Sequence, residues 1–541
     1  MSCITKQHVG KYTYLYESTS YRDEKGRPRN HKKRIGKIDP YTGETIYTEE
    51  YLARMEDAGR PVKQEPRELS DADRKAMQSA SEVLDASRRY GSYALFRDLA
   101  DRIHLLDVLR KAFPASFREI FSLACFLVES QEPLAYFAEW MSQTETLPLT
   151  VPLSSQRISD LLASITLDQR DAFFSEWVDH TAEDQYVALD ITSISSYSQL
   201  MESCEWGYNR DHEDLPQINL CMLFGESARL PVYQTSYHGS LKDVSTLRTT
   251  LDEVRALVPS HALRVVMDKG FYSQKNVDAM LDPEHPVHFL ISVPFTSSFA
   301  KRQVESERKD IDRLENTILT SDGAIRGVHK VRAWHTKERN VPLHVHVYFN
   351  PVKAATERNE LYGYVMELKL AALADPERSD LQKEFQKYLI IRKSSKQESG
   401  YTVNVRQDVI DKKLNTCGWM VLLSDVTDDA QEALDVYRTK DVVEKNFLRL
   451  KNTLDLNRLR VHSDVRMENK LFLSFIAMLL VSALHQRMKQ AGLYQKYTMH
   501  ELLLKVRKLH AVRIKNRRIL QPVTKEQRQI FQDLGMDVPV G

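Results

Sequence analysis

The chain has 541 residues, 42% of them hydrophobic and 28% charged. Those proportions exclude a fibrous or wholly disordered chain and fit three or four globular domains. Lysine plus arginine total 76 against 75 aspartates plus glutamates, which excludes a uniformly basic protein but leaves local basic patches open.

The five cysteines, Cys3, Cys125, Cys204, Cys221 and Cys417, are scattered and form no CxxC pair. No disulfide framework or cysteine zinc site is expected, and a reducing cytosol is the natural setting. The opening residues MSCITKQHVGKYTYLYES contain no apolar core of a secretory signal. The longest apolar run, Leu471 to Leu484, is short for a membrane span and predicts a buried core helix, so no membrane partner is expected.

Residues 1–64 predict a small basic β unit. Tyr12, Tyr14 and Tyr16 alternate as on one face of a strand. A turn at Asp23-Glu24-Lys25-Gly26 leads into Arg27, Arg29, Lys32, Lys33, Arg34 and Lys37. Aromatics interleaved with cations suit a nucleic-acid surface, and a solvated hairpin is the plainer alternative. Residues 65–180 are helical in pattern, broken at Pro114, Pro133, Pro148 and Pro152, and could bind DNA or pack on the core.

The pattern then changes. Tyr186-Val187-Ala188-Leu189 is an apolar strand running into Asp190, and Leu263 to Met267 is another running into Asp268. With strands at 217–224, 230–235 and 288–293 and helices at 247–258 and 273–281, residues 181–294 predict a mixed sheet with helices on its faces. Residues 295–415 read as an inserted α+β domain. The sheet resumes at Gly418 to Leu423 within 416–485, where a long helix from about Asp428 carries Glu444. Residues 486–541 predict a basic helical region with Lys505, Arg507, Lys508, Arg513, Lys515, Arg517 and Arg518.

A carboxylate closing a buried strand is costly unless it is paired or binds a cation. Two of them on separate strands suggest convergence at the carboxyl edge of a sheet. Acids that share a place repel unless a metal intervenes, and oxygen ligands favour Mg²⁺ or Mn²⁺ over zinc. On one continuous helix, Tyr437, Lys440 and Lys451 would lie on the stripe of Glu444. Val443, Phe447, Leu450 and Leu454 form a second, apolar stripe that would dock the helix. An amphipathic surface helix with routine Lys–Glu pairing is the plainer alternative.

The spacing Tyr437-x2-Lys440-x3-Glu444-x6-Lys451 resembles the YREK signature of a large superfamily of bacterial DDE insertion-sequence transposases, the insertion-sequence-four superfamily. Lys440 stands where that signature has Arg, which keeps the charge but loses the bidentate fork. The surroundings of Asp190 and Asp268, the block Gly207 to Leu220, His238 to Asp243, and Gly418 to Ser424 also resemble it. The resemblance implies an RNase H-like α/β fold with an inserted domain between the second Asp and the Glu. It implies a catalytic, metal-binding triad of Asp190, Asp268 and Glu444 holding two Mg²⁺ or Mn²⁺ ions. Tyr437, Lys440 and Lys451 would touch DNA phosphate, with Arg210 and His212 as further DNA contacts. The expected partners are double-stranded DNA at element ends and target, and a second copy of the chain in a homodimer on the bacterial nucleoid. A transposase-derived DNA-binding protein that no longer cuts, and a metal-dependent nuclease without strand transfer, are the alternatives.

Three other features are weaker. His344 and His346 share a strand face as a zinc pair would, but no third ligand is evident and a plain surface strand is expected. Asp243 reads as a loop cap rather than a metal ligand. Trp334 and Tyr348 are aromatics of the inserted region with no motif to assign them.

Overall fold

The computed structural model describes residues 2–540 except 10–11, 39–44, 61, 63–82, 84–85, 131, 150–151, 182–184, 258–262, 322, 395–399, 441–442, 444, 446, 448–449, 452–453, 455, 457 and 515–516. The chain divides into two compact units, Met1–Ala86 and Ser87–Gly541.

The first unit is an antiparallel sheet of β1 (Ser2–Val9), β2 (Tyr12–Arg22), β3 (Pro28–Ile38) and β4 (Thr45–Tyr47), in that order. The helix Glu49–Asp57, capped by the Thr48 side chain, covers one face through Tyr51, which packs with Leu15 and Ile35. Alternation along β2 and β3 therefore sorts side chains into a helix-covered face and an outer face.

The second unit opens with β5 (Ser87–Arg89) and continues through helices to Thr181. It then builds a nine-stranded mixed sheet. Its strands are β6 (Tyr186–Ser195), β7 (Gln217–Gly225), β8 (Pro231–His238), β9 (Arg264–Met267), β10 (His288–Ser292), β11 (Thr317–Thr320), β12 (Gly323–His335) and β13 (Asn340–Phe349), joined after the hairpin β14 (Leu389–Lys393) and β15 (Tyr401–Val405) by β16 (Trp419–Ser424). The order is β11-β12-β13-β16-β10-β9-β6-β7-β8. β6, β9 and β10 run parallel, and the flanking strands are antiparallel. Strand β6 is buried at every position except Asp190, which is half-buried, as expected of a central strand covered on both faces.

The strands at 317–349 extend the large sheet, with β16 slotted between β10 and β13. The helices Pro351–Ala374, Gln382–Tyr388 and Gln407–Leu414 and the β14–β15 hairpin close around a second small core that includes Val365, Phe385 and Val403. Leu471 to Leu484 lies within the helix Asp464–Gln490. That helix is long and apolar enough to cross a membrane, yet 94% of its most apolar window is buried inside the protein.

Two predicted helices end early. The helix carrying Tyr437 spans Ala430–Arg438. There the Thr439 hydroxyl donates to Val436 O at 2.6 Å, and the amides of Thr439 and Lys440 bond three residues back, a tightening that stops the α-helical ladder. Past Arg507 the basic stretch is a hairpin, β17 (His510–Ile514) with β18 (Arg517–Leu520), and β17 also pairs with β5. Alternating Ala511, Arg513 and Val512, Ile514 suits a two-residue period better than a helical one.

Packing leaves no room for a side chain at Gly207 or Gly239. A Cβ on Gly207 would meet Gly239 O at 1.9 Å, and one on Gly239 would meet Gln217 O at 2.0 Å. Gly239→Ala is expected to destabilise the protein by about 3 kcal/mol through backbone overpacking. A thermal midpoint equal to that of the native chain would refute this close approach.

Candidate active site

The parallel register pairs Leu189 with Met267 and Ile291 with Met267. One step further along, Asp190 in the middle of β6, Asp268 just past the end of β9 and Ser292 at the end of β10 fall in a single row across three adjacent strands, with neighbouring backbones about 4.8 Å apart. The two sequence-predicted aspartates are thus brought together.

The turn after β9 is fixed from behind. Asp268 leads a 3₁₀ turn, Lys269–Phe271, and Ser273 caps the helix Gln274–Met280. Asn276 Nδ2 donates to Phe271 O at 2.8 Å and to Val244 O at 2.9 Å, tying this turn to the helix Asp243–Leu257. Asp190 Oδ1 accepts from Ile191 N at 2.8 Å.

The helix Ala430–Arg438, capped by Asp429, places Tyr437 over Asp268. The tyrosine hydroxyl donates to Asp268 Oδ1 at 3.1 Å, and Lys440 Nζ lies 3.9 Å from Asp268 Oδ2. Burial, and then the Asp268 charge, push the Tyr437 phenol well above its usual range, so it stays a protonated donor. Lys440 is buried, whereas Asp268 keeps 36% of its side chain exposed.

Lys451 is brought elsewhere. Its buried ammonium pairs with Asp211 Oδ2 at 2.5 Å, and Arg458 grips Glu213 through two bonds of 2.8 and 2.6 Å. These pairs clamp the loop of residues 207–216 that leads from β6 into β7. Arg210 pairs with Asp243 and donates to Ser193 Oγ at 3.3 Å. His212 is exposed, at a positive φ of 57°. Asp243, expected as a loop cap, is the first residue of its helix, and its Oδ2 would lie 3.2 Å from a Cβ on Gly270, two residues beyond Asp268. Asp211, beside Arg210 and His212, pairs with Lys451, so this acid, like Asp243, holds a cation.

Glu444 lies outside the described residues, although Val443, Phe447, Leu450 and Leu454 around it are buried, as the apolar stripe predicts. Among the described residues, no group of three or more acidic, histidine or cysteine side chains is arranged to hold a metal. Two aspartates in one row still supply oxygen donors of the kind Mg²⁺ or Mn²⁺ prefers, with half-open access at Asp268.

The expected surface strand at His344 and His346 is different in the structure. His346 is fully buried, and His329 on β12 stands opposite it and 3.0 Å from His344. His346 Nε2 bonds Thr427 O at 3.0 Å, and Tyr348 OH donates to Ala430 O at 2.7 Å, so this strand props the start of the Tyr437 helix. Trp334 is also buried, with its indole NH on Asp278.

Burial lowers the His346 imidazole to about 4. It is neutral when folded and protonates below about pH 6.5 when unfolded. Its stability contribution is complete above pH 6.5 and is lost as pH falls toward 4, by up to about 3 kcal/mol. Denaturant titrations at pH 7 and pH 4.5 are expected to show a smaller acid loss for His346→Gln than for the native chain; equal losses would contradict this.

The family model described as transposase DDE domain matches residues 181–480, more than half of the chain. No curated protein matches. A solved structure, the cryo-EM piggyBac transposase synaptic complex with hairpin DNA, is similar at a TM-score of 0.35 and 10% identity. That alignment covers 71% of this chain and 64% of that one. On the matched domain, which holds Asp190, Asp268, Tyr437, Lys440 and Lys451, the chain belongs to the DDE transposase domain family.

Proposed function

We propose that the protein is an active DNA transposase that cuts strands at the ends of its element and joins the freed 3′-hydroxyl to target DNA. The observation that carries this reading is the row of Asp190 and Asp268 with the Tyr437 hydroxyl on Asp268. Asp190, Asp268 and Glu444 would hold two divalent ions, Mg²⁺ or Mn²⁺, in an RNase H-like core of the insertion-sequence-four type. When bound, such ions activate the attacking oxygen and stabilise the leaving one.

The protein's own groups do the rest. Tyr437 orients the Asp268 carboxylate through one oxygen, in the way that outer partners fix metal ligands. Lys440 adds positive charge on the same edge, where a scissile phosphate would approach. Lys451, buried against Asp211, holds the loop of residues 207–216 in place, and Arg210 does the same toward Asp243. A DNA contact by Arg210 or Lys451 would require exchange of these partners. Duplex DNA is the partner, a homodimer on paired ends is the working assembly, and the bacterial nucleoid is the place of action.

The test uses supercoiled plasmid carrying the genomic DNA that flanks the coding region, with Mg²⁺ or Mn²⁺. Nicks followed by joined products are expected. Shifted complexes without metal-dependent nicking would replace the proposal by a silent DNA-binding protein, and nicks never converted to joints would leave only a nuclease.

A further inference from the structure

The outer face of the N-terminal sheet is sorted by charge. Tyr16 lies opposite Arg34, Tyr14 opposite Lys37, and Ser18 opposite Lys32, so these side chains share the face away from the helix Glu49–Asp57. Arg34 stacks over the Tyr14 ring at 5.0 Å, and Lys32 and Arg34 are exposed.

The unit's acids are kept elsewhere. Glu17 pairs with Arg54 of the helix, and Lys33 on the covered face pairs with Glu50. Asp23 receives Arg29 at 3.3 Å at the hairpin turn. Among the described residues of this unit, every carboxylate lies on the helix, on the helix-facing side or in that turn. A solvated hairpin would have no reason to separate matched charges on one face from three cations and two tyrosines on the other.

We infer that this outer face, built on Tyr14, Tyr16, Lys32, Arg34 and Lys37, is a docking surface for the phosphate backbone of duplex DNA. The cations span about 15 Å along β3, a reach that covers several phosphates at the strand rise and DNA spacing involved. Charge complementarity selects the partner, and the tyrosine rings supply flat contact area with hydroxyl donors. Phosphate contacts of this kind hold DNA without reading sequence. The inference rests on the transposase reading, and assigns to the N-terminal unit the task of gripping DNA for it.

The test measures binding of the full chain to a random 20-base-pair duplex by fluorescence anisotropy across about 50 to 300 mM salt. With about 0.9 counterion released per phosphate, Lys32→Ala, Arg34→Ala and Lys37→Ala combined should flatten the log–log salt slope by about 2 to 3. Lys33→Ala, which only unpairs Glu50, should leave the slope unchanged. Bound duplex should also protect Lys32 and Lys37 of the native chain from acetylation, a readout that needs no variant. An unchanged slope in a triple variant with native circular dichroism, or unprotected lysines, overturns the inference, as does tighter binding to duplex RNA. Asp268-dependent nicking that persists with an unchanged slope overturns this inference alone, while a native chain that neither binds nor nicks any duplex overturns the transposase reading as well.

Discussion

Asp268→Asn is expected to lower metal-dependent DNA nicking by about a thousandfold or more while leaving DNA binding intact. Asparagine keeps the volume of the side chain and an oxygen for the Tyr437 hydroxyl, so the substitution isolates the charge. Charge is what the proposal needs, because a neutral amide in the row with Asp190 is a poor ligand for a hard cation. A metal site supplies several kcal/mol of transition-state stabilisation, and about 1.4 kcal/mol corresponds to a factor of ten in rate. Asp268 is partly exposed and sits beyond the last residue of β9, so the substitution leaves the pairing of the sheet unchanged. Initial rates on supercoiled plasmid in Mn²⁺ and Mg²⁺ decide the matter. Nicking within tenfold of the native rate would remove Asp268 from the chemistry.

Asp190 and Asp268 were legible because each follows an apolar run, where a carboxylate is costly without a partner or a cation, although β6 continues past Asp190 to Ser195. That they share one row of the sheet was not legible, since a parallel register depends on crossover connections rather than on either strand's own residues. The apolar stripe Val443, Phe447, Leu450 and Leu454 was readable from its period, and all four residues are buried. The single polar stripe through Tyr437, Lys440 and Lys451 was not a safe extrapolation. It assumed one unbroken helix, whereas the turn at Thr439 separates Tyr437 and Lys440 on Asp268 from Lys451 on Asp211. Local hydrogen bonding by a threonine competes with the helical ladder, and periodicity does not register that competition. His346 was misplaced for a related reason. Alternation assigns a residue to a face of its strand, but what packs on that face decides whether it is covered, and here the segment of Thr427 and Ala430 lies against His346 and Tyr348.

Tyr437→Phe is the companion experiment, with an expected fall of about 10- to 100-fold in nicking rate and a higher metal concentration for half-maximal activity. The substitution removes one oxygen and keeps the ring, which is largely buried where the helix Ala430–Arg438 meets the sheet. Its cost should therefore appear in the orientation of Asp268 rather than in folding, and partners that orient metal ligands carry an effect of this size. The phenol is held above its ordinary range by burial and by the Asp268 charge, so it donates its proton throughout the neutral range. The ratio of native to variant rates should consequently stay flat between about pH 6 and 9, since the usual tyrosine value near 10 is already beyond that window. A purely structural role would instead appear as a lowered thermal midpoint with an unaltered metal requirement. A Tyr437→Phe protein with native rate and native metal dependence would show that the hydroxyl only fills space beside Asp268, and would leave Lys440, among the described residues of this segment, as the group acting on that carboxylate.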